Sequence, residues 1–454
     1  IGGAAAGAAA VIPFAQRALA DGPLAQRRFV FLYCGGGWDQ LLFLDPRAHG
    51  FERGDEAAVN STGIDTRYHE IVGTYGSGLH TVPGAADSNF YFGPAAVRVS
   101  DGVPVNAINL RDLARSGVPM AMVRGINMGT LGHEAGYNYF LTGEPTVGSA
   151  ARGASMPIRI ASQLGERDSE MAQTLLSTVA LSVNSFTGNE PGRYAALRAS
   201  GIDDLSLILA RSISLSEPTS VEAALANYAS RPLGPIARRY DRQGLLSSMV
   251  GASTGVREML EENLAASFQF LDSVDGEGPM DPGPMIRERY SINADITSAS
   301  GRRSAKVHAA FVSQAVKTGL AQFISASIPG GGDTHGAGNT VHALGMHNAA
   351  DAIARLVDDL RTSDAEGLEG SWLDNTTICV FSEFARTPRF NRQDGRDHHF
   401  TNSCLLIGAG IAPGTVAGKS SDTGGMAPVP FDFATQSSLD DMADTGHLQR
   451  HILP

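Results

Sequence analysis

The sequence predicts a three-layer α/β/α fold with a mainly parallel central sheet. Short apolar runs rich in β-branched or aromatic residues, each ending at glycine or a polar residue, are typical of strands buried on both faces. Helical patterns lie between these runs, and strands that alternate with helices form a parallel sheet covered on both faces. The predicted strands are Arg28–Cys34, Pro119–Arg124, Leu176–Val183, Gln322–Ile328, Thr376–Phe381 and Asn402–Ile407.

Three segments with apolar residues at helical spacing are predicted as helices between these strands. Asn106–Arg115 leads through a Gly-Val-Pro turn into the second predicted strand, and Ser304–Lys317 leads through Gly319 into the fourth. His347–Arg361 ends in a polar loop before Trp372. Each helix thus connects two strands, as the α/β prediction requires.

Two stretches do not follow this alternation and are predicted to be insertions. Phe51–Val105 is rich in Gly, Asn, Ser and Pro and predicts irregular structure with short strands at most. Pro191–Ile296 predicts a helical cap or subdomain, notably at Ser220–Tyr228 and Val256–Val274. No clear linker separates either stretch, so residues 28–454 are predicted to form one domain with insertions at 51–105 and 191–296.

The charge of the chain excludes some classes of partner. The 454 residues carry a formal net charge of −12. Nonspecific binding to nucleic acid or to an anionic membrane surface requires basic patches, so neither is expected. A negative protein can still bind a phosphate or sulfate ester where metal ions or a few arginines supply local positive charge.

The cysteine pattern points to buried strand residues. Cys34, Cys379 and Cys404 each lie in a strongly apolar run, where a small hydrophobic residue fits a buried strand. A catalytic thiol or a metal thiolate is the alternative. Three cysteines make no disulfide framework, so they leave the redox compartment open.

The N-terminal segment, residues 1–27, predicts export. Its first 22 residues read IGGAAAGAAAVIPFAQRALADG and resemble the latter part of a signal sequence, which implies a periplasmic or secreted protein. Its apolar stretch is shorter than the roughly 20 residues that span a bilayer, so no transmembrane segment is expected. The alternative is an ordinary alanine-rich helix broken at Pro13.

Three predicted strands are followed by carboxylate and imidazole side chains. The first strand leads to Asp39, the 322–328 strand leads to Asp333 and His335, and the 376–381 strand leads to Glu383 and then to Asp397-His398. Ligands of open parallel sheets bind outside the carboxyl ends of the strands. We therefore expect a metal or polyanion site at this edge.

The residue types at this edge suit a divalent metal. Carboxylate oxygen and imidazole nitrogen together bind Zn²⁺, Mn²⁺, Mg²⁺ or Ca²⁺. Each residue could instead have a purely structural role: Asp39 and Asp333 as helix N-caps, His335 as a hydrogen-bonded core histidine, and His398-His399 as part of a solvated loop.

Arg386 is a candidate catalytic residue with two interpretations. A guanidinium can hold a phosphate, sulfate or carboxylate through two parallel hydrogen bonds. Alternatively, Arg386 follows Glu383 by three positions and could form an ion pair with it.

Several motifs together resemble a known family. The blocks GGGWDQ, HEAGYNYFLTGEP, PGGGDTHG, HNAADAI, FSEFARTPRFNRQDGRDHHF and LLIGAGIAPGTVAGKSSD occur in this order between Arg28 and Asp422. They resemble the domain-of-unknown-function 1501 family, bacterial proteins often exported through the twin-arginine route. That family is similar in fold to alkaline phosphatases and sulfatases, so the resemblance implies an alkaline-phosphatase-like fold.

The resemblance also implies roles for individual residues. Asp39 corresponds to a metal-binding aspartate after the first strand, and Asp333 with His335 corresponds to a later Asp–His pair of the same cluster. Glu383 corresponds to a metal-binding carboxylate, although Phe384 occupies the place of the histidine that normally follows it. The remaining counterparts are Asp397 and His398, a final metal-binding element, and Thr130, a nucleophile that could instead be a helix N-cap.

Two functions are therefore expected as alternatives. The first is an exported metal-dependent hydrolase that acts on phosphate or sulfate esters, in a small molecule or a polymer. The second is a catalytically inactive exported scaffold or binding protein that retains the fold, and Phe384 favours it. The insertions could also build an interface for a homo-oligomer or a protein complex, and the sequence leaves this open.

Overall fold

The apolar runs of the sequence form an eight-stranded sheet at the centre of the computed structural model. Its strand order is β12-β4-β11-β8-β1-β7-β5-β6, where the strands, in chain order, are β1 (Arg28–Tyr33), β2 (His80–Thr81), β3 (Tyr91–Phe92), β4 (Met120–Asn127), β5 (Leu176–Leu181), β6 (Leu197–Ala199), β7 (Ala321–Ser327), β8 (Thr376–Phe381), β9 (Ala385–Arg386), β10 (His398–His399), β11 (Thr401–Gly408), β12 (Thr415–Ala417), β13 (Phe431–Asp432) and β14 (Ser437–Ser438). The structure describes residues 26–47, 60, 62–65, 79–97, 109–167, 174, 176–202, 204, 267–268, 282–292, 299–330, 332–336, 339–432 and 437–438.

The prediction of an α/β fold with a mostly parallel sheet is confirmed, with one change of direction. All six predicted strands belong to the sheet, but β11, predicted as parallel, runs antiparallel to β4 and β8. A parallel neighbour requires a crossover connection, usually a helix. Between β8 and β11 the chain instead folds back through the short hairpin of β9 and β10, in which His398 pairs with Arg386.

Helices connect and cover the strands, and the described ones are α1 (Leu110–Arg115), α2 (His133–Thr142), α3 (Met156–Arg167), α4 (Pro282–Tyr290), α5 (Ala299–Arg302), α6 (Ala305–Lys317) and α7 (Asn339–Thr362). The predicted helix at 304–317 is confirmed, and Ser304 is its N-cap, with a side chain that accepts from the Val307 N–H. Helix α7 begins before the predicted His347, because apolar residues at helical spacing continue upstream through Gly345.

The alternation of side chains along β1 shows how the layers are built. Val30 and Leu32 enter a hydrophobic cluster together with residues of α6 and α7. Phe29 and Phe31 enter a second cluster together with residues of α2 and α3. Because successive side chains of a strand point to opposite faces, the sheet carries a helical layer on each face.

A buried aspartate joins three helices at one side of the molecule. Asp359 on α7 is 2% exposed and accepts hydrogen bonds from Tyr290 Oη at 2.9 Å, Ser313 Oγ at 2.5 Å and Lys317 Nζ at 2.6 Å. Arg289 on α4 also contacts its Oδ1 atom. Four donors thus surround one carboxylate.

The predicted insertions are described only in part. Strands β2 and β3 pair within the first, as expected for short strands, while β6 lies within the second and joins the main sheet. The predicted helix Ser220–Tyr228 lies outside the described residues, as does Val256–Val274 apart from residues 267–268. Residues 1–25 of the predicted export segment also lie outside them.

The cysteines and the membrane prediction can be compared with the described residues. Cys34 and Cys404 are buried, Cys379 is half-buried, and all three are free thiols. Burial raises the pKa of the Cys34 thiol, which disfavours the reactive thiolate. Among the helices that the structure describes, none is long and apolar enough to cross a membrane.

Candidate metal centre

The carboxyl ends of four strands lie at one edge of the sheet and carry the candidate site. Strands β8, β1 and β7 are adjacent and parallel, so the loops that follow them start side by side. Strand β4 runs in the same direction and leads through a short loop into α2, which begins at His133. The predicted convergence of strand ends therefore occurs, with a fourth strand added.

Glycines allow two of these loops to touch. Gly36 has φ +106°, and a Cβ atom there would lie 2.7 Å from the Cα atom of Gly332. Only glycine adopts this conformation without strain. The Gly36 N–H donates to Glu383 Oε1 at 2.8 Å, so the loops after β1, β7 and β8 meet at this point.

Asp333 lies at the centre of three imidazole rings. Its Oδ1 atom is 3.2 Å from His335 Nε2 and 3.4 Å from His398 Nε2, and its Oδ2 atom is 3.4 Å from His133 Nε2. The two nitrogens His335 Nε2 and His398 Nε2 are 2.9 Å apart. Potential ligand atoms of His133, Asp333 and His398 all lie within 4.8 Å of one another, so this group could hold a metal ion.

The other ring nitrogen of two of these histidines faces an acceptor. His398 Nδ1 lies 2.6 Å from the carbonyl oxygen of Leu131, and His335 Nδ1 lies 2.8 Å from Asp397 Oδ1. A carbonyl or a carboxylate can only accept, so each Nδ1 carries the proton. In a neutral ring the Nε2 atom then carries a lone pair. Metal-binding histidines are held in this way by their second nitrogen.

His133 is held by a buried carboxylate. Its Nδ1 atom lies 2.6 Å from Glu383 Oε1, and Ser382 Oγ donates to Glu383 Oε2 at 2.7 Å. Burial opposes the charge on Glu383, but these hydrogen bonds and the one from Gly36 outweigh it and hold the pKa of Glu383 below its usual value. The hydrogen bond to Glu383 in turn raises the pKa of His133.

Three hydrogen-bond acceptors lie close together: Asp333 Oδ1 and, in neutral rings, the Nε2 atoms of His335 and His398. The two Nε2 atoms are 2.9 Å apart, and the carboxylate oxygen lies 3.2 and 3.4 Å from them. Their lone pairs repel one another unless a cation lies between them. An ion held at about 2.0–2.2 Å by ligands in tetrahedral geometry separates their atoms by about 3.3–3.6 Å. The observed distances are close to this range, so these residues fit a metal ion.

Arg386 lies beneath this group and is fully buried. Its Nη2 atom donates to Asp333 Oδ1 at 2.5 Å and to the Gly36 carbonyl at 2.5 Å, while Nε and Nη1 donate to the carbonyls of Gly37 and Arg396. Burial opposes the charge of Asp333, but Arg386 lowers the pKa of Asp333 to about 2. The residue predicted to bind substrate thus directs every guanidinium nitrogen to the protein, and its carboxylate partner is Asp333 instead of Glu383.

Asp39 is placed apart from the three imidazoles. It is 2% exposed, its Oδ1 atom accepts from the Leu41 N–H at 3.0 Å, and its Oδ2 atom lies 3.2 Å from Arg396 Nε. It is not a member of the group that could hold an ion among the described residues. The contact with Leu41 resembles the local capping that was the alternative interpretation of Asp39.

Thr130 makes a local contact just before α2. Its Oγ1 atom accepts from the Gly132 N–H at 3.2 Å, and Gly132 is the N-cap residue of the helix. The carbonyl of the next residue, Leu131, is the acceptor for His398. Thr130, the predicted nucleophile, is therefore close in sequence to residues that contact the cluster, and its hydroxyl oxygen is bonded to the backbone.

Phe384 and His133 pack together beside the cluster. Phe384 is buried, and its ring centroid lies 4.8 Å from that of His133 and 4.3 Å from that of His398. It forms an apolar wall at the position where the resemblance implied a histidine, while His133 enters from α2. The sequence interpretation missed His133, although the same strand-end rule, applied to the loop after the second predicted strand, would have identified it.

The comparisons with known proteins bear on part of the chain. No curated protein matches the sequence. Residues 286–445, which include Asp333, His335, Glu383, Asp397 and His398, match the model of the family described as "Protein of unknown function (DUF1501)", and this match supports the family resemblance that the sequence motifs carry.

Proposed function

We propose that Asp333, His335 and His398 bind one divalent metal ion and that the protein uses it to hydrolyse phosphate or sulfate esters. The support for the metal is the pair of Nε2 atoms 2.9 Å apart, each held as a lone-pair acceptor by the partner of its Nδ1 atom. The motif resemblance to the domain-of-unknown-function 1501 family, which is similar in fold to alkaline phosphatases and sulfatases, supports the ester class. The signal-like N-terminal segment supports an extracytoplasmic place of action.

The charge of the cluster also supports a divalent ion. Asp333, Asp397 and Glu383 are carboxylates with lowered pKa values, and Arg386 supplies the one guanidinium that contacts Asp333 among the described residues. With neutral imidazoles these four groups leave two negative charges to be balanced. Imidazole ligands favour Zn²⁺ or Mn²⁺ over Mg²⁺ and Ca²⁺, which prefer oxygen.

His133 is assigned a different role from the other two histidines. It contacts Asp333 Oδ2 instead of Oδ1, and it lines a cavity of about 860 Å³ from which water and substrate can enter. Its Nδ1 proton is held by Glu383, so Nε2 is the atom that accepts a proton from an attacking water. The buried Glu383 then stabilises the positive charge on the ring.

The metal contributes one kind of chemistry in this scheme. A divalent ion held by Asp333, His335 and His398 would supply Lewis-acid chemistry for the ester and for the attacking water. Asp397 and the Leu131 carbonyl keep the two ligand rings in orientation, and Phe384 excludes water from one side of His133 and His398. Arg386 positions Asp333 and does not contact substrate in this proposal.

The second candidate function is a metal-binding scaffold without turnover. It is favoured by Arg386, whose nitrogens are all directed to protein oxygens, and by Phe384 in the place of a histidine. In that case His133 would complete a closed set of four protein ligands, as in structural metal sites. The role of His133 therefore separates the two functions.

Metal analysis tests the site. Protein stripped with a chelator and dialysed against Zn²⁺ or Mn²⁺ is expected to hold one ion per chain. His335→Ala and His398→Ala should weaken binding by about 100-fold or more, because each removes a ligand. His399→Gln is the matched control, since His399 is adjacent in sequence but contacts the Thr401 N–H. Stoichiometric binding by both alanine variants would contradict the proposal.

Turnover of aryl phosphate monoesters, phosphodiesters and sulfates tests the reaction. The wild-type protein with metal should hydrolyse one of these classes, and His133→Gln should retain the metal while its kcat falls by about 100-fold or more. If His133→Gln loses the metal and no wild-type turnover is found, the closed-site scaffold is supported and the hydrolase is rejected.

A further inference from the structure

A cavity of about 860 Å³ opens beside His133. It lies between the start of α2, the ends of β5 to β7 and helix α6. A volume of this size accommodates an organic molecule of moderate size. Because His133 lines it, a molecule in the cavity can contact one residue of the candidate metal centre.

Two arginines face the cavity from its other parts. Arg198 and Arg303 both have exposed side chains and line the cavity, and Glu134 is the acidic residue among the described residues that line it. Arg198 Nη2 donates to Asn184 Oδ1, a neutral partner, at 2.8 Å. Neither arginine forms an ion pair within the part of the chain that the structure describes. The cavity is thus locally positive in a protein with a net charge of −12.

A buried histidine with one unpartnered side-chain atom is among the residues that line the same cavity. His308 is 1% exposed, and its Nδ1 atom donates to the Ser327 carbonyl at 2.6 Å. Its Nε2 atom is buried and has no hydrogen-bond partner among the described residues. Burial and the charge of Arg303 lower the pKa of His308, so the ring is neutral and Nε2 is an acceptor. Such an acceptor is costly to bury without a donor.

We propose that this cavity binds a hydroxylated organic anion, of the kind found in sugar phosphates and sugar sulfates. Arg198 and Arg303 bind its negatively charged group through charge-assisted hydrogen bonds, and a hydroxyl group donates to His308 Nε2. The substrate class of the proposed hydrolase follows from this: an ester with a second anionic group away from the scissile bond. This last step rests on the proposed function, whereas binding of the anion does not.

Calorimetry on metal-free protein tests anion binding independently of the metal. Ribose 5-phosphate, glucose 6-sulfate and uncharged ribose are titrated in the presence of a chelator. At least one of the two charged sugars should bind, and about tenfold or more tightly than ribose. The double variant Arg198→Gln/Arg303→Gln should lose about tenfold or more of that affinity. Arg193→Gln is the matched control, because Arg193 stacks on Tyr194 and does not line the cavity.

Two results would overturn the proposal. One is the absence of binding by both charged sugars at millimolar concentration, and the other is equal affinity in the wild type and the double variant. His308→Phe adds a test of the acceptor: it should weaken binding of the charged sugar but leave inorganic phosphate unaffected. Both arginines are exposed, so their variants are expected to fold. Failure of anion binding in protein that still holds metal would reject only the cavity assignment, whereas anion binding without metal binding would reject only the metal centre.

Discussion

Asp333 and Asp359 each lie at the centre of a polar cluster, but the groups around them differ in kind. Asp359 is surrounded by donors: a guanidinium, an ammonium and two hydroxyl groups. Asp333 has one such donor, Arg386, and otherwise faces imidazole nitrogens whose protons point away from it. The first cluster is complete as a set of hydrogen bonds, whereas the second has the acceptor atoms that the proposed cation would bind. Donor and acceptor balance therefore distinguishes an ion-binding site from a structural hub.

The largest expected effect is at the complete cluster. Asp359→Ala leaves the half-buried Lys317 and the buried hydroxyl groups of Tyr290 and Ser313 without their carboxylate, and should lower the free energy of unfolding by about 3–5 kcal/mol. Denaturant unfolding with and without metal measures it, and the loss should be the same in both. Asp358→Ala is the control, since its partner Arg361 is exposed and such pairs contribute about 0–1 kcal/mol. Equal losses in the two variants would remove the distinction between the clusters.

Metal should stabilise the incomplete cluster. At a free metal concentration of about 100 times Kd, the wild type should gain about 2.7 kcal/mol in unfolding free energy. His335→Ala should gain no more than about 0.4 kcal/mol at the same metal concentration. Without metal, its free energy of unfolding should lie within about 0.5 kcal/mol of that of the wild type because the His335 side chain is exposed. Thermal unfolding with Zn²⁺ or with a chelator measures both. A metal-free His335→Ala that is strongly destabilised would show that the imidazoles already contribute to folding.

The carboxylate that orients His335 should have a smaller effect. Asp397→Asn leaves the ligands in place but weakens the hold on His335 Nδ1, so the metal Kd should rise about 10–100-fold. Competition with a chromophoric chelator measures this Kd. Asp394→Asn, in the same loop and outside the cluster, should leave the Kd unchanged. An unchanged Kd in Asp397→Asn would mean that the orientation of His335 is set by other contacts.

The smallest expected effect is a pH dependence of the free energy of unfolding, caused by Lys317 beside Asp359. Burial, with the like charge of Arg289, lowers the pKa of Lys317 to about 8, despite its contact with Asp359. The unfolded chain then binds more protons than the folded one above pH 8, so this lysine makes stability rise with pH until its unfolded pKa is reached. Between pH 8 and 10, the free energy of unfolding of the wild type should increase by no more than about 1 kcal/mol relative to that of Lys317→Met, as measured by denaturant unfolding. A gain below pH 7 would contradict this sign.

The sequence predicted the sheet and part of the site because both depend on local patterns. Strand ends can be read from apolar runs, and this rule identified Asp333, His335 and His398. It could not separate them from Asp39, because only the folded chain shows that Arg396 reaches Asp39. The antiparallel direction of β11 depends on the β9–β10 hairpin, whose two-residue strands carry no periodicity. His133 was missed because the strand-end rule was not applied to the loop after the second predicted strand, although its contact with Glu383 appears only in the folded chain.

The segment that contains the β9–β10 hairpin carries several residues of the cluster. Arg386 and His398 are paired across it, and Arg396 and Asp397 lie on the same excursion of the chain between β8 and β11. One contiguous segment therefore carries Arg386, which holds Asp333; the proposed ligand His398; and Asp397, which orients the proposed ligand His335. This segment could be grafted as a unit onto the end of a strand in a related sheet. Single substitutions within it would each leave a charge or a lone pair without its partner.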